Sequence, residues 1–147
     1  MTSVRSAKSD HSTARTIGRI ALGAALVFAG TSHLTFAREE FQAQVPNWLP
    51  FDEDFVVLAS GVVEIGLGSA LLAARKRRVP VGWIVALFFV AIFPGNLSQY
   101  FNRVDGFGLT TDTARGIRLL FQPLLVVWAL WSTGAWRSFR QARRAKR

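Results

Sequence analysis

Residues 55–100 read FVVLASGVVEIGLGSALLAARKRRVPVGWIVALFFVAIFPGNLSQY, two apolar runs on either side of the basic tetrad Arg75-Lys76-Arg77-Arg78. Each run holds about 20 residues, and a helix rises about 1.5 Å per residue, so each spans roughly the 30 Å hydrocarbon core of a bilayer. Glu64 is the one charged side chain inside them. Such a pair must cross, turn at the tetrad and cross back. On either side of it, two further apolar stretches run from Ile17 to Phe36 and from Ile117 to Trp136. The predicted fold is therefore all-α: an antiparallel transmembrane four-helix bundle with spans at 17–36, 55–74, 79–100 and 117–136.

The charges sort by loop. Arg5, Lys8, Arg15 and Arg19 precede or open the first span, the tetrad joins the second to the third, and Arg137, Arg140, Arg143, Arg144, Lys146 and Arg147 follow the fourth. The other two loops and their edges carry only Arg38, Arg103, Arg115 and Arg118, with Glu39, Glu40, Asp52, Glu53, Asp54, Asp105 and Asp112. By the positive-inside rule both termini are expected in the cytoplasm of a cell with this protein in its inner (plasma) membrane. The formal charge of +9 thus serves orientation and meets anionic head groups of the lipid bilayer. It forms no basic stripe interleaved with exposed aromatics, which argues against nucleic acid as a partner. The chain has no cysteine, which excludes disulfides, thiol relays, iron–sulfur ligation and thiolate zinc within it.

Residues 1–16 read as a mobile basic cytoplasmic tail, 17–136 as the membrane domain and 137–147 as a second basic tail. The first apolar run also has the order of a secretory signal peptide, with Thr35-Phe36-Ala37 before Arg38. Its length to Phe36, and a face carrying Gly23, Gly30 and His33, favour a retained helix. Between the first two spans, Pro46-Asn47-Trp48-Leu49-Pro50 is too apolar for a plain linker and is expected to cap the bundle at head-group depth. Asp52 or Asp54 then caps the second helix. The loop from Asn102 to Gly116 reads as an ordinary polar turn region. The short tetrad makes the second and third helices antiparallel neighbours.

Ser60, Gly61, Glu64 and Gly68 share one stripe, and Gly82 and Ala86 mark a packing face on the third helix, where Pro94 removes one backbone hydrogen bond. The polar residues within the spans are the candidate site: His33, Glu64, Asn96, Arg118 and Gln122, with Gln99 one turn from Asn96. Helical side chains lean toward their own N-terminus, which brings Glu64 toward the depth of the others. An acid at mid-membrane costs about 2.5–3.5 kcal/mol, so Glu64 should be neutral, paired or in a wet cavity. Arg118 is the expected partner, reaching inward on its long stem. Two readings stay open at this point. One is a hydrogen-bonded plug that sets helix register. The other is a polar pocket offering proton exchange and amides to a small ligand such as a quinone head group. One membrane histidine makes no metal site, and the pattern identifies no catalytic residue and no cofactor.

The run Gly30-x-x-His33, Val45-Pro46, Leu49-Pro50 and Ser60-Gly61-Val62-x-Glu64-Ile65 with Gly68 and Leu71-Leu72 resembles the first half of DoxX-type membrane proteins. Phe93-Pro94-x-Asn96 and Arg118-x-x-x-Gln122, followed by Trp128, resemble the second half. The basic tails are longer here, and Gly95 stands where a small alanine is commoner. The resemblance implies a four-helix transmembrane bundle. The family takes its name from a subunit of a thiosulfate:quinone oxidoreductase, and relatives are linked to membrane redox and oxidative-stress assemblies. The implied role is a membrane subunit or quinone-binding partner of a redox system, with a soluble or membrane redox partner and room for a homo-oligomer. The alternative is a non-catalytic accessory protein or a carrier for a small molecule or lipid.

Overall fold

The computed structural model describes residues 3–147, with side chains from Thr13 onward. The chain forms α1 (Ser3–Leu34), α2 (Arg38–Gln42), α3 (Glu53–Ala73), α4 (Arg78–Phe101), α5 (Asp112–Thr133) and α6 (Ala135–Ala145), with no strand among the described residues. Four helices are long and apolar enough to cross a membrane: Thr13–Leu34, Glu53–Ala73, Arg78–Phe101 and Asp112–Thr133. Large apolar side chains such as Phe28, Val62, Leu87, Leu120 and Val127 stand exposed on their outer faces. In water they would form a continuous sticky surface; in lipid they face their own kind. The molecule is a multi-pass membrane protein.

Local chemistry sets the helix ends. The Asp52 side chain accepts from the Phe55 amide at 3.1 Å and caps α3, with Glu53 and Asp54 following in its first turn. Asp54 instead accepts from Arg38 and, at 2.9 Å, from Gln42, which pins α2 to the start of α3. The hydrogen bonding to Asp54 holds the Arg38 guanidinium pKa above its ordinary value. The Thr111 hydroxyl accepts from the Ala114 amide and starts α5 at Asp112, earlier than hydropathy suggests, because a cap can open a helix in polar sequence. Gly134, at φ 75°, ends α5 in the left-handed conformation that glycine adopts without strain. The residues expected as a C-terminal tail continue as α6. The expected N-terminal tail has helical backbone from Ser3, and most of its side chains lie outside the described residues.

The helices pack as two hairpins. α1 packs most extensively on α3 and α4 on α5, and α1 joins the hairpins by packing on α5. α3 and α4, tied by the shortest link, touch far less. They are antiparallel neighbours, as the short link requires, but a tight turn fixes proximity at one end only. The α1–α3 contact is set by glycines in antiparallel register. A Cβ on Gly23 would stand 2.9 Å from the Gly68 carbonyl oxygen, and one on Gly30 would stand 2.5 Å from that of Gly61. Any side chain at either position pushes the two backbones apart, and backbone proximity is what holds helices together where lipid offers no hydrophobic drive. On the other hairpin, a Cβ on Gly82 would fall 1.9 Å from Thr133 Oγ1.

The loops at 35–52 and 102–111 lie at one end of the bundle, the acidic end; residues 74–77 and α6 lie at the other, the basic end. The apolar core of Leu22, Leu26, Leu71, Val85, Ala86, Phe89 and Ala129 fills the basic half. There Arg19, buried, donates to the Leu71 carbonyl and reaches that of Leu72, satisfying carbonyls that the end of α3 leaves open. Trp128 Nε1 donates to the Gly18 carbonyl at 2.9 Å and ties α5 to α1.

Candidate functional site

A cavity of about 470 Å³ occupies the acidic half of the bundle, and all four long helices contribute to its wall. His33 comes from α1, Ser60 and Glu64 from α3, Asn96 from α4, and Arg118 and Gln122 from α5. The five residues singled out from sequence thus line one space. Much of the remaining wall is apolar, with Leu22, Leu26, Val57, Phe89, Ile92 and Leu125 on the side toward the core. Exposed lining residues include Trp48, Ala91 and Pro94, from the loop leading into α3 and from α4, two helices that touch little.

The polar groups fall into two pairs and a single cation. His33 Nδ1 lies 3.1 Å from Glu64 Oε2, and both side chains are buried. The approach is short enough for an ion pair but not aligned as a hydrogen bond, so Glu64 Oε2 makes none. Ser60 Oγ stands 3.4 Å from the same His33 nitrogen and donates to the Val57 carbonyl at 2.9 Å. Across the cavity wall, Asn96 Nδ2 donates to Gln122 Oε1 at 2.9 Å, and Gln122 Nε2 donates to the Phe89 carbonyl at 2.6 Å. That chain fixes the orientation of both amides and links α4 to α5.

Arg118 does not pair with Glu64, which corrects the expectation from sequence. Its guanidinium lies 5.0 Å from the ring centroid of Phe107, a cation–π contact, and it makes no ion pair among the described residues. The reason is geometric. Gly61 lets α1 come so close that a Cβ there would stand 2.8 Å from His33 Cβ, and that approach delivers the imidazole to Glu64 first. Arg118 is drawn to the loop at the acidic end.

That loop is more than a turn region. The Phe107 amide donates to the Glu40 carboxylate, and the Phe107 ring sits 4.5 Å from that of Phe41, which in turn meets His33 edge-on. Arg115, buried, donates to Asp105, Asp112 and the Arg103 carbonyl and ties the loop to α5. Arg103 and Phe107 both take positive φ, at 54° and 55°, inside this braced segment. Composition hides the arrangement, because glycines and threonines read alike in a free turn and a fastened one. The pairing of Asp112 with Arg115 three residues on is the signal that sequence offers.

Phe41, Gln44, Val45, Trp48 and Leu49 also line the cavity, so the first loop forms its roof. Its apolar Pro46–Pro50 segment signals a cap but not a contribution to the wall. Gln99, one turn beyond Asn96, is buried but turns toward Gly106 instead of the cavity. Three buried side-chain atoms on the cavity wall have no hydrogen-bond partner: His33 Nε2, Gln44 Nε2 and Glu64 Oε2. Leaving such a group unmet costs about 1–3 kcal/mol, and all three atoms belong to residues that line the one cavity.

A family profile described as Domain of unknown function (DUF8561) matches residues 22–133, from the middle of α1 to the end of α5, and the chain belongs to that family. No curated protein and no solved structure matches the sequence.

Proposed function

We propose that this member of the DUF8561 family is an inner-membrane protein of DoxX type that holds a small amphipathic molecule, a quinone head group best, and serves a redox or oxidative-stress system as its membrane subunit or quinone-binding partner. One observation carries the reading: a buried acid–base pair and two oriented amides line a single, largely apolar cavity that leaves three polar atoms unmet. A register plug would have its groups satisfied by one another. Here Asn96 and Gln122 satisfy one another and His33 stands against Glu64, yet His33 Nε2 and Gln44 Nε2 are left over.

The residues fit such a guest. A quinone carbonyl can accept from His33 Nε2 or Gln44 Nε2, and the apolar wall suits a ring and the start of its tail. A quinone taken to the quinol gains two electrons and two protons. His33 and Glu64 are the proton-exchanging side chains on the wall, and Arg118 offers a fixed positive charge near the acidic end. The chain has no cysteine to pass electrons on, so a partner supplies them. A carrier would favour helices broken near mid-membrane in both halves, whereas α4 and α5 run on through Pro94 and Pro123. That favours binding in place over transport.

The orientation proposed is basic end inward, with both termini in the cytoplasm, from the asymmetry of arginine and lysine. A single cysteine at Arg77 should react with a membrane-impermeant reagent only after the cells are opened. Labelling of intact cells would reverse the assignment. The binding reading is tested by extracting and measuring quinone from the purified protein. The wild type should carry it and Glu64→Gln should lose most of it; equal quinone in both would return the cluster to a structural role.

A further inference from the structure

A second cavity, of about 480 Å³, lies at the basic end, lined by Arg15 of α1, Val127, Leu130 and Trp131 of α5, and Trp136 and Arg137 of α6. Its construction follows from two glycines. Gly134, in the left-handed conformation, ends α5 and turns the chain at once into α6, whose first residue, Ala135, is fully buried. The next two side chains, Trp136 and Arg137, then come to the same concavity as Arg15. Gly18 makes room for Trp131: a Cβ there would stand 2.7 Å from its ring. α6 itself is amphipathic, with Phe139 meeting Trp83 of α4 at 6.0 Å and arginines on its other positions, the composition of a helix lying at a membrane surface.

Two guanidinium groups in one small concavity repel each other, and an anion held between them turns that repulsion into attraction. The sequence before the first span, the 75–78 link and the chain after Thr133 carry one acid, Asp10, against a large excess of arginine and lysine, so the field at this end favours negative charge. The remaining wall is apolar and indole. Val127 and Trp131 are largely exposed on the outer face of α5, so the cavity wall runs on into the surface that meets lipid.

We propose that this cavity binds one anionic phospholipid, with Arg15 and Arg137 on the phosphate oxygens and an acyl chain along Val127, Leu130 and Trp131. Arginine suits the task because its planar fork meets two phosphate oxygens at once. Tryptophan suits it because one end of the indole is apolar and the other can sit among head groups. The inference is independent of the cavity at the acidic end.

The test is native mass spectrometry of the full chain in detergent, titrated with phosphatidylglycerol, with phosphatidylcholine and with inorganic phosphate. Phosphatidylglycerol should bind as a discrete adduct and phosphatidylcholine should not. The Arg15→Gln/Arg137→Gln pair should weaken phosphatidylglycerol by about tenfold or more, taking the attraction of each arginine for an anionic head group as additive. Arg75→Gln/Arg77→Gln removes equal charge from the link outside the cavity and should change binding by about twofold at most. Arg15→Lys/Arg137→Lys keeps the charge and loses the fork, so it should bind phosphatidylglycerol between the wild type and the glutamine pair, which separates loss of the site from loss of fold. Equal binding of phosphatidylcholine, or equal loss in the Arg75/Arg77 variant, would overturn the site. Displacement of phosphatidylglycerol by millimolar inorganic phosphate would show a free-anion site and overturn the lipid assignment.

Discussion

The two halves of the bundle are built from the same four helices and solve opposite problems. In the basic half Leu22, Leu71, Val85 and Ala129 are at most 1% exposed, and the polar groups present, Arg19 and Thr133, donate to backbone carbonyls. In the acidic half the same helices open around about 470 Å³, and His33, Glu64 and Gln44 keep polar atoms unmet. Apolar packing fills one end, while the glycine contacts run through both, Gly23 with Gly68 toward the basic end and Gly30 with Gly61 in the acidic half, and hold α1 and α3 together around the polar cavity.

Substitutions probe that contrast from both sides, beginning with the glycine register on which both halves depend. Gly30→Leu places a side chain against the Gly61 backbone and should cost about 3 kcal/mol or prevent folding. Its denaturation in mixed micelles should shift accordingly; a near-normal transition would mean that the α1–α3 approach is not what holds the fold. Next, Leu71→Ala in the basic half should lower stability by about 2 kcal/mol while leaving quinone content unchanged. Loss of bound quinone in that variant would show the halves to be coupled.

In the acidic half the signs reverse. Glu64→Gln keeps the shape of the side chain and relieves a buried acid, so stability should move by about 1 kcal/mol or less while quinone content falls. Glu64→Ala should be the less stable of the two, since it leaves the His33 imidazole without its neighbour and enlarges the cavity. Should Glu64→Ala unfold no earlier than Glu64→Gln, the His33 contact contributes nothing to the fold. The smallest effect is expected for the amides. A double-mutant cycle of Asn96→Ala and Gln122→Ala should give a coupling near 0.6 kcal/mol, the average for hydrogen bonds between membrane helices. A coupling several times larger would make that pair a structural element of the cavity in its own right.

Much of this architecture is legible in the residues alone. Hydropathy blocks of bilayer length mark the four long helices, and the stripe of Gly23, Gly30 and His33 with that of Gly61, Glu64 and Gly68 marks the faces that meet. Depth and side-chain lean pick out the candidate residues, and those residues do line one cavity. Partner choice is where such reasoning fails. Arg118 and Glu64 have complementary charge and comparable depth, yet the histidine on the glycine-lined face reaches the acid and the arginine goes to Phe107.

Residue order sets the number of long helices, the uneven charge of the two ends and the depth of each polar side chain. These are one-dimensional quantities: a bilayer's thickness converts residue count directly into depth, and every helix rises by the same step. Packing in three dimensions settles the remainder: α3 and α4 touch little while α1 joins the hairpins, the first loop roofs the cavity, the second is braced through Arg115, and α6 folds against α4 and α5. Each depends on helix rotation and on which backbones approach within a few ångströms, and those follow from the summed contacts of residues distant in the chain, which no local pattern records.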